Sequence, residues 1–274
     1  MKVFISVDME GVAGVVNAEQ LSSEGFEYEK FRELMTAEVS TAVEAAREAG
    51  AREVVVADSH GCALNLLVDK LPQDIQLVRS WPRPLMMVEG IDESFDALIF
   101  IGYHTATHNP AGVRAHTISS AMFAELRLNG RPLPECGLNS AIAGHFGVPP
   151  VMLSGDDQAV REAQEVLGPI EGAVVKWAYG FHSARTLMPQ AARGEIARKV
   201  KAALGRLDDF KPFVVDPPIT LTIRFKNYLP SEVLSYLPSV TRTDSHTIDF
   251  TADDMIAISK FIQFVITYRP DLTP

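Results

Sequence analysis

Cysteine is scarce in this chain: 274 residues carry two, Cys62 and Cys136. Two cysteines cannot form a disulfide framework, so an intracellular setting is expected, and each reads as a small buried hydrophobe. Long apolar runs are missing as well. No uncharged stretch approaches the roughly 20 residues that a membrane span needs. The opening run Met1-Lys2-Val3-Phe4-Ile5-Ser6-Val7 stops at Asp8 and Glu10, unlike a secretory leader. A cytoplasmic protein is the expectation. Bases are outnumbered, 25 Lys plus Arg against 35 Asp plus Glu, for a net charge of -10. A duplex binder needs a basic face to displace counterions, so nucleic acid and anionic membrane surfaces are not expected partners. Gly11-Val12-Ala13-Gly14 lacks the third glycine of the dinucleotide fingerprint and has no Walker lysine, so it is a weak phosphate signal.

What is present is ordinary globular composition, 47% hydrophobic and 22% charged. Lys2 to Val7 reads as a buried strand. Phe31, Leu34, Met35, Val39, Ala42, Val43 and Ala46 then recur at helical spacing, with Gly50 where a C′ glycine belongs. Glu53 to Ala57 is a second strand, which makes a β-α-β unit and predicts parallel pairing. Further strands are expected at Ile75 to Val78, Ala97 to Ile101 and Val151 to Ser154. Helices are expected at Asn139 to Phe146, Gln158 to Leu167 and Pro189 to Leu204, while Thr117 to Leu128 fits either helix or strand. Three prolines between Phe210 and Pro218 mark a domain edge. Ile219 to Phe225 and His246 to Phe250 then read as strands and Met255 to Tyr268 as a helix. The expected fold is α/β, a mostly parallel sheet with flanking helices over 1–215, plus a small α+β domain over 216–274.

Ligands of open α/β sheets bind outside the carboxyl ends of the strands. The first strand ends in Val7-Asp8-Met9-Glu10-Gly11, the second in Ala57-Asp58-Ser59-His60, and the run Ala97 to Ile101 in Gly102-Tyr103-His104. Asp8 and Glu10 share one face of an extended backbone. Two carboxylates so held repel each other unless a cation lies between them. Histidine is the commonest transition-metal ligand, and mixed His and carboxylate sets suit zinc and its neighbours. Each residue alone has a plainer explanation: a capped turn for Asp8 and Glu10, a turn histidine for His60, a satisfied core histidine for His104. Their convergence at three strand ends favours a metal site. The long polar loop after His104 adds His108 and His116. Glu135 opens a helix, where a carboxylate also complements the dipole. His182 to Arg185 is a weaker substrate-facing candidate, His145 has no context and His246 reads as structural.

These segments resemble a known family. The runs SVDMEGVAGV (6–15), VVVADSHG (54–61), FDALIFIGYHT (95–105), Arg114-Ala115-His116, ECGLNSAIAGHFGVP (135–149) and SGDD (154–157) are similar, in order, to the D-aminopeptidase family, peptidase family M55, typified by the Bacillus dipeptide-transport operon enzyme. The resemblance implies a dinuclear zinc exopeptidase acting on short peptides, with a preference for D-configured N-terminal residues. It implies that Asp8 bridges two zinc ions, that Glu10 completes the protein ligands of one, and that His60, His104 and Glu135 serve the other. Manganese or cobalt would suit the same donors. His116 takes the place of the family's proposed nucleophile. One extra residue in the loop leaves His108 as a competing assignment. A homo-oligomer, a decamer of stacked rings, is implied too. Paired zinc ions activate water, polarise a carbonyl and hold an amine, and His116 can pass a proton to the leaving amine or attack directly. The alternatives are a dinuclear metal phosphoesterase, for which only Arg114 offers a nearby cation, and a non-catalytic metal-dependent peptide binder.

Overall fold

The computed structural model describes residues 1–268. Two sheets organise it. The larger has seven strands: β1 (Lys2–Val7), β2 (Glu53–Asp58), β3 (Gln76–Val78), β4 (Ala97–Tyr103), and then β7 (Pro150–Asp156), β8 (Glu171–Gly180) and β9 (Ser183–Thr186), after β5 (Phe123–Leu128) and β6 (Arg131–Pro132) have gone to the second sheet. Its order is β3-β2-β1-β4-β7-β8-β9, parallel throughout except for the antiparallel β8–β9 pair. Chain order reverses between β1 and β4, and such a switch point leaves a crevice at the strands' carboxyl ends.

Helix α1 (Tyr28–Glu48) carries the buried stripe Phe31, Met35, Val39, Val43 and Ala46 that its spacing predicted. Each large member contributes roughly 1.5–3 kcal/mol by leaving water. Gly50 follows with φ +100°, the conformation expected at C′. Helices α2 (Glu135–His145), α3 (Asp157–Leu167) and α4 (Pro189–Leu204) also flank this sheet, and α1 packs on α4. The helix expected from Asn139 begins four residues earlier, at Glu135, so that Glu135 occupies its first turn.

The second sheet is antiparallel, in the order β11-β12-β10-β5-β6. It combines β10 (Ile219–Phe225), β11 (Val240–Arg242) and β12 (Thr247–Ala252) with strands from well before residue 215. The ambiguous segment Thr117 to Leu128 resolves as strand over Phe123–Leu128, because Phe123, Leu126 and Leu128 bury against β10, with an irregularity in the register between the first two. Short α5 (Tyr228–Leu234) and α6 (Met255–Thr267) pack on this sheet, and α6 also meets α2 across the crevice. Among the described residues no helix is long and apolar enough to cross a membrane.

Candidate metal centre at the switch point

The ends of β1 and β4 come unusually close. Gly11 N donates to Gly102 O at 2.7 Å. A Cβ on Gly11 would fall 2.1 Å from Tyr103 O, and one on Gly102, at φ +74°, would fall 2.2 Å from Asp8 O. Only glycine permits this approach. It seats Asp8, still laddered through its N–H to Ile101 O at 2.8 Å, beside His104 on the next strand.

Around Asp8 the expected residues assemble. Its Oδ1 lies 3.2 Å from His60 Nδ1 and its Oδ2 lies 3.2 Å from His104 Nε2. Glu10 Oε2 is 2.8 Å from His60 Nδ1. Glu135 Oε1 is 3.4 Å from His104 Nε2 and 3.6 Å from His116 Nε2. The His104 and His116 rings stack with centroids 4.1 Å apart. Asp8, Glu10, His60, His104 and Glu135 are all buried, and His116 is nearly so. Asp8 thus stands between a His60–Glu10 side and a His104–Glu135 side. These distances set His60 with Glu10, a different sharing from the grouping of His60 with His104 and Glu135 that the family resemblance implies.

The three imidazoles are held in defined tautomers. His60 Nε2 donates to Leu21 O at 2.9 Å, His104 Nδ1 to Thr105 O at 2.9 Å and His116 Nδ1 to Arg114 O at 2.8 Å. Each ring therefore turns its other nitrogen toward the carboxylates. A neutral imidazole offers a lone pair there, so lone pairs would face carboxylate oxygens. Asp8 Oδ2, Glu10 Oε2 and His104 Nε2 have no hydrogen-bond partner. Glu10 Oε2 and His60 Nδ1 are near one another but not aligned as donor and acceptor. Burial works to raise the Asp8, Glu10 and Glu135 carboxyls and to lower the His60 and His104 imidazoles. Mutual attraction outweighs burial in each case. His104 and His60 hold Asp8 well below the usual carboxylate range, His60 lowers Glu10 and His104 lowers Glu135. In return Glu10 lifts His60 and Glu135 lifts His104 well above the usual imidazole value. The cluster demands positive charge between its members, as protons or as metal.

The donor set fits divalent metal. Asp8, Glu10 and His104 can each aim one ligand atom within 4.8 Å of the others, and so can His104, His116 and Glu135. Backbone carbonyls orient the imidazoles from behind, as in metal sites generally. The cluster floors a cavity of about 530 Å³. Trp81, Met86, Met87 and Ile118 form its apolar side, and Gln263, Ile266 and Thr267 of α6 close it from the second sheet. No periodicity or motif announced that wall, since α6 lies more than 100 residues from the nearest strand end of the cluster. His108 lies outside the cavity, half-exposed and 3.8 Å from Glu162 on α3, whereas His116 lines it. Cys136 is buried, Cys62 is exposed, and neither joins the cluster. His182 sits at the β8–β9 turn against Phe181.

An α/β switch point that gathers carboxylates and imidazoles around an open cavity has the make-up of a metallohydrolase. Comparison with known proteins makes the class specific. The family model described as Peptidase M55, D-aminopeptidase, matches residues 1–264, and the chain belongs to that family of peptidases. It is 35% identical to the D-aminopeptidase of Bacillus subtilis (strain 168) over 257 residues, 93% of each chain. It superposes with a TM-score of 0.92 and 32% identity on the solved "Zn-dependent D-aminopeptidase DppA from Bacillus subtilis, a self-compartmentalizing protease", covering 98% of this chain and 99% of that one. The α/β expectation is borne out by this superposition, and membership of a peptidase family sets aside the phosphoesterase and non-catalytic alternatives.

Proposed function

We propose that this protein is a zinc-dependent aminopeptidase that removes the N-terminal residue of short peptides or aminoacyl amides, with a preference for the D configuration. One observation carries the reading: three buried carboxylates face three tautomer-locked imidazoles at the floor of a cavity. Two zinc ions per subunit would be held by Asp8, Glu10, His60, His104 and Glu135, with Asp8 shared between them. When bound, such ions supply an activated water near neutral pH, polarise the scissile carbonyl and hold the free amine.

The chain's own groups do the rest. The floor takes the free N-terminal amine, and the wall of Trp81, Met86 and Met87 takes the first side chain. His116, oriented by Arg114 O, turns Nε2 toward the cavity, where its lone pair takes a proton from the attacking water and then passes that proton to the departing amine. The rival is attack by His116 itself on the carbonyl, forming an acyl-imidazole and releasing the amine, with water then hydrolysing the acyl bond. Rapid quench during turnover separates the two: an acyl group trapped on His116 would establish the rival. The protein acts in the cytoplasm as a homo-oligomer, a decamer on the family pattern, with the second sheet and residues 216–274 serving assembly or the substrate channel. Matched D- and L-aminoacyl p-nitroanilides, assayed with zinc, manganese and cobalt, test the activity. Release of p-nitroaniline from the D substrates is expected. No release from either series would overturn the reading.

A further inference from the structure

Lys176 lies on β8, distant in sequence from every member of the carboxylate and imidazole cluster, and its side chain is completely buried. An ammonium has three hydrogens to donate. Here they go to Glu10 O at 2.5 Å, Val12 O at 3.1 Å and Val15 O at 2.7 Å. Its donors are spent on main-chain oxygens of a single short segment, not on a carboxylate. That segment, 10–15, leaves β1 without regular structure. Its other bonds are two isolated turns, Val12 N to Met9 O and Val15 N to Val12 O, both at 3.1 Å, and one bond each from Gly11 N to Gly102 O at 2.7 Å and Ala13 N to Glu38 Oε1 at 3.0 Å. It carries Glu10 into the cavity.

Burying a cation is costly unless it is fully hydrogen-bonded. For sheet packing alone, an apolar residue at this position of β8 would serve with no such cost. What the lysine adds is direction: three carbonyls of the segment that carries Glu10 are turned toward one point.

We propose that Lys176 is a positioning residue that shapes the Glu10 segment for metal before metal arrives. The proposal rests on the zinc reading above. A preshaped site loses little freedom on binding, so Lys176 should act on zinc affinity. Outer partners of metal ligands typically set affinity by about 10–100-fold.

The test compares the whole wild-type chain, Lys176→Met, and Val200→Ala, a cavity variant in α4 that lowers stability without touching residues 10–15. Zinc affinity is measured by competition with a chromogenic chelator, and the cobalt-substituted proteins are compared by visible absorption. Lys176→Met is expected to bind zinc at least about tenfold more weakly and to show an altered cobalt spectrum, while Val200→Ala matches wild type in both. Equal affinity and spectrum in Lys176→Met, or an equal loss in Val200→Ala, would overturn the proposal. Should Lys176→Met fail to fold, hydrogen exchange on wild type decides. Amides of residues 11–15 should stay protected after zinc is stripped, and loss of that protection would overturn it. Wild-type protein that binds no zinc would instead overturn the function proposed above, and this inference with it.

Discussion

Two sets of buried carboxylates gather around the strand ends of one sheet, and they are treated differently. Asp58, closing β2, accepts Asn65 N at 2.6 Å, Leu66 N at 2.8 Å and Asn65 Nδ2 at 2.8 Å. Asp156, closing β7, accepts Val113 N at 3.1 Å and caps α3 through Gln158 N and Ala159 N, both at 2.9 Å. Both are saturated by amide donors, so their charges fasten loops. Asp8 and Glu135 accept one amide each, Met9 N at 2.8 Å and Ile118 N at 2.7 Å, and Glu10 accepts none. What remains of the three faces the others and the inward nitrogens of His60, His104 and His116. Glu38 is a third case. One oxygen accepts Ala13 N at 3.0 Å and the other has no partner. Burial pushes this carboxyl up to about 7, against the pull of the Ala13 amide and Lys176. A buried acid in this fold is completed by amides, by cations or by its own proton, and which of these applies separates scaffold from site.

The largest effect should come from the unsaturated set. Asp8→Asn removes the carboxylate shared between the two sides, and turnover should fall by about a thousandfold, the several kcal/mol that a catalytic metal supplies. Stability of the metal-stripped protein should fall less than in Asp58→Ala, because the lost attraction to His60 and His104 is offset in part by relief of repulsion from Glu10 and Glu135. Thermal melts in chelator check this, and an equal fall there would place Asp8 with the scaffold acids. Asp58→Ala should do the reverse. It leaves three buried donors unpaired and should cost about 4 kcal/mol, seen as a lower urea midpoint with or without metal. An unchanged midpoint would erase the contrast.

Glu38→Gln sharpens the third case through pH. The folded protein raises this carboxyl from 4.5 to about 7, so the acid's favourable neutral form is fully present below about pH 4.5 and is lost as pH rises through 7. Gln keeps the carbonyl that faces Ala13 and cannot ionise. It should match wild type near pH 4.5 and exceed it at pH 8 by no more than about 3 kcal/mol. A pH-independent difference would show that Glu38 does not titrate as its burial requires. Asp156→Ala removes the α3 cap and leaves Val113 N unpaired, at about 2–3 kcal/mol, with zinc content unchanged.

Much of this was legible before any coordinates. Asp8, Glu10, His60 and His104 stand at strand ends, and strand ends are readable from short β-rich runs such as Glu53 to Ala57 that stop at a polar residue. The β-α-β unit followed from one helical stripe between two such runs. Glu135 was placed at a helix start, but only the fold brings that start to β4. What could not be read depends on contacts made across long stretches of chain. β8 was missed because Lys176 interrupts an otherwise apolar strand, and the use of that lysine appears only when β8 lies behind the Glu10 segment. The second sheet was half-read, since its β5–β6 hairpin comes from the middle of the first 215 residues. The cavity wall from α6 has no local signature, because Gln263, Ile266 and Thr267 become part of the site only by packing. The imidazole tautomers are set by carbonyls of Leu21, Thr105 and Arg114, and no spacing rule predicts such bonds.

The central claim is that the carboxylates that amides leave unsaturated, Asp8 and Glu135 with one amide each and Glu10 with none, are completed by metal. Metal content of wild-type protein, stripped, re-equilibrated with buffered zinc and analysed alongside Asp8→Asn and Asp156→Ala, tests it most directly. The account predicts about two zinc ions per chain in wild type and Asp156→Ala, and a marked loss in Asp8→Asn together with peptidase activity. Zinc-free wild-type protein that cleaves aminoacyl amides at full rate would contradict it.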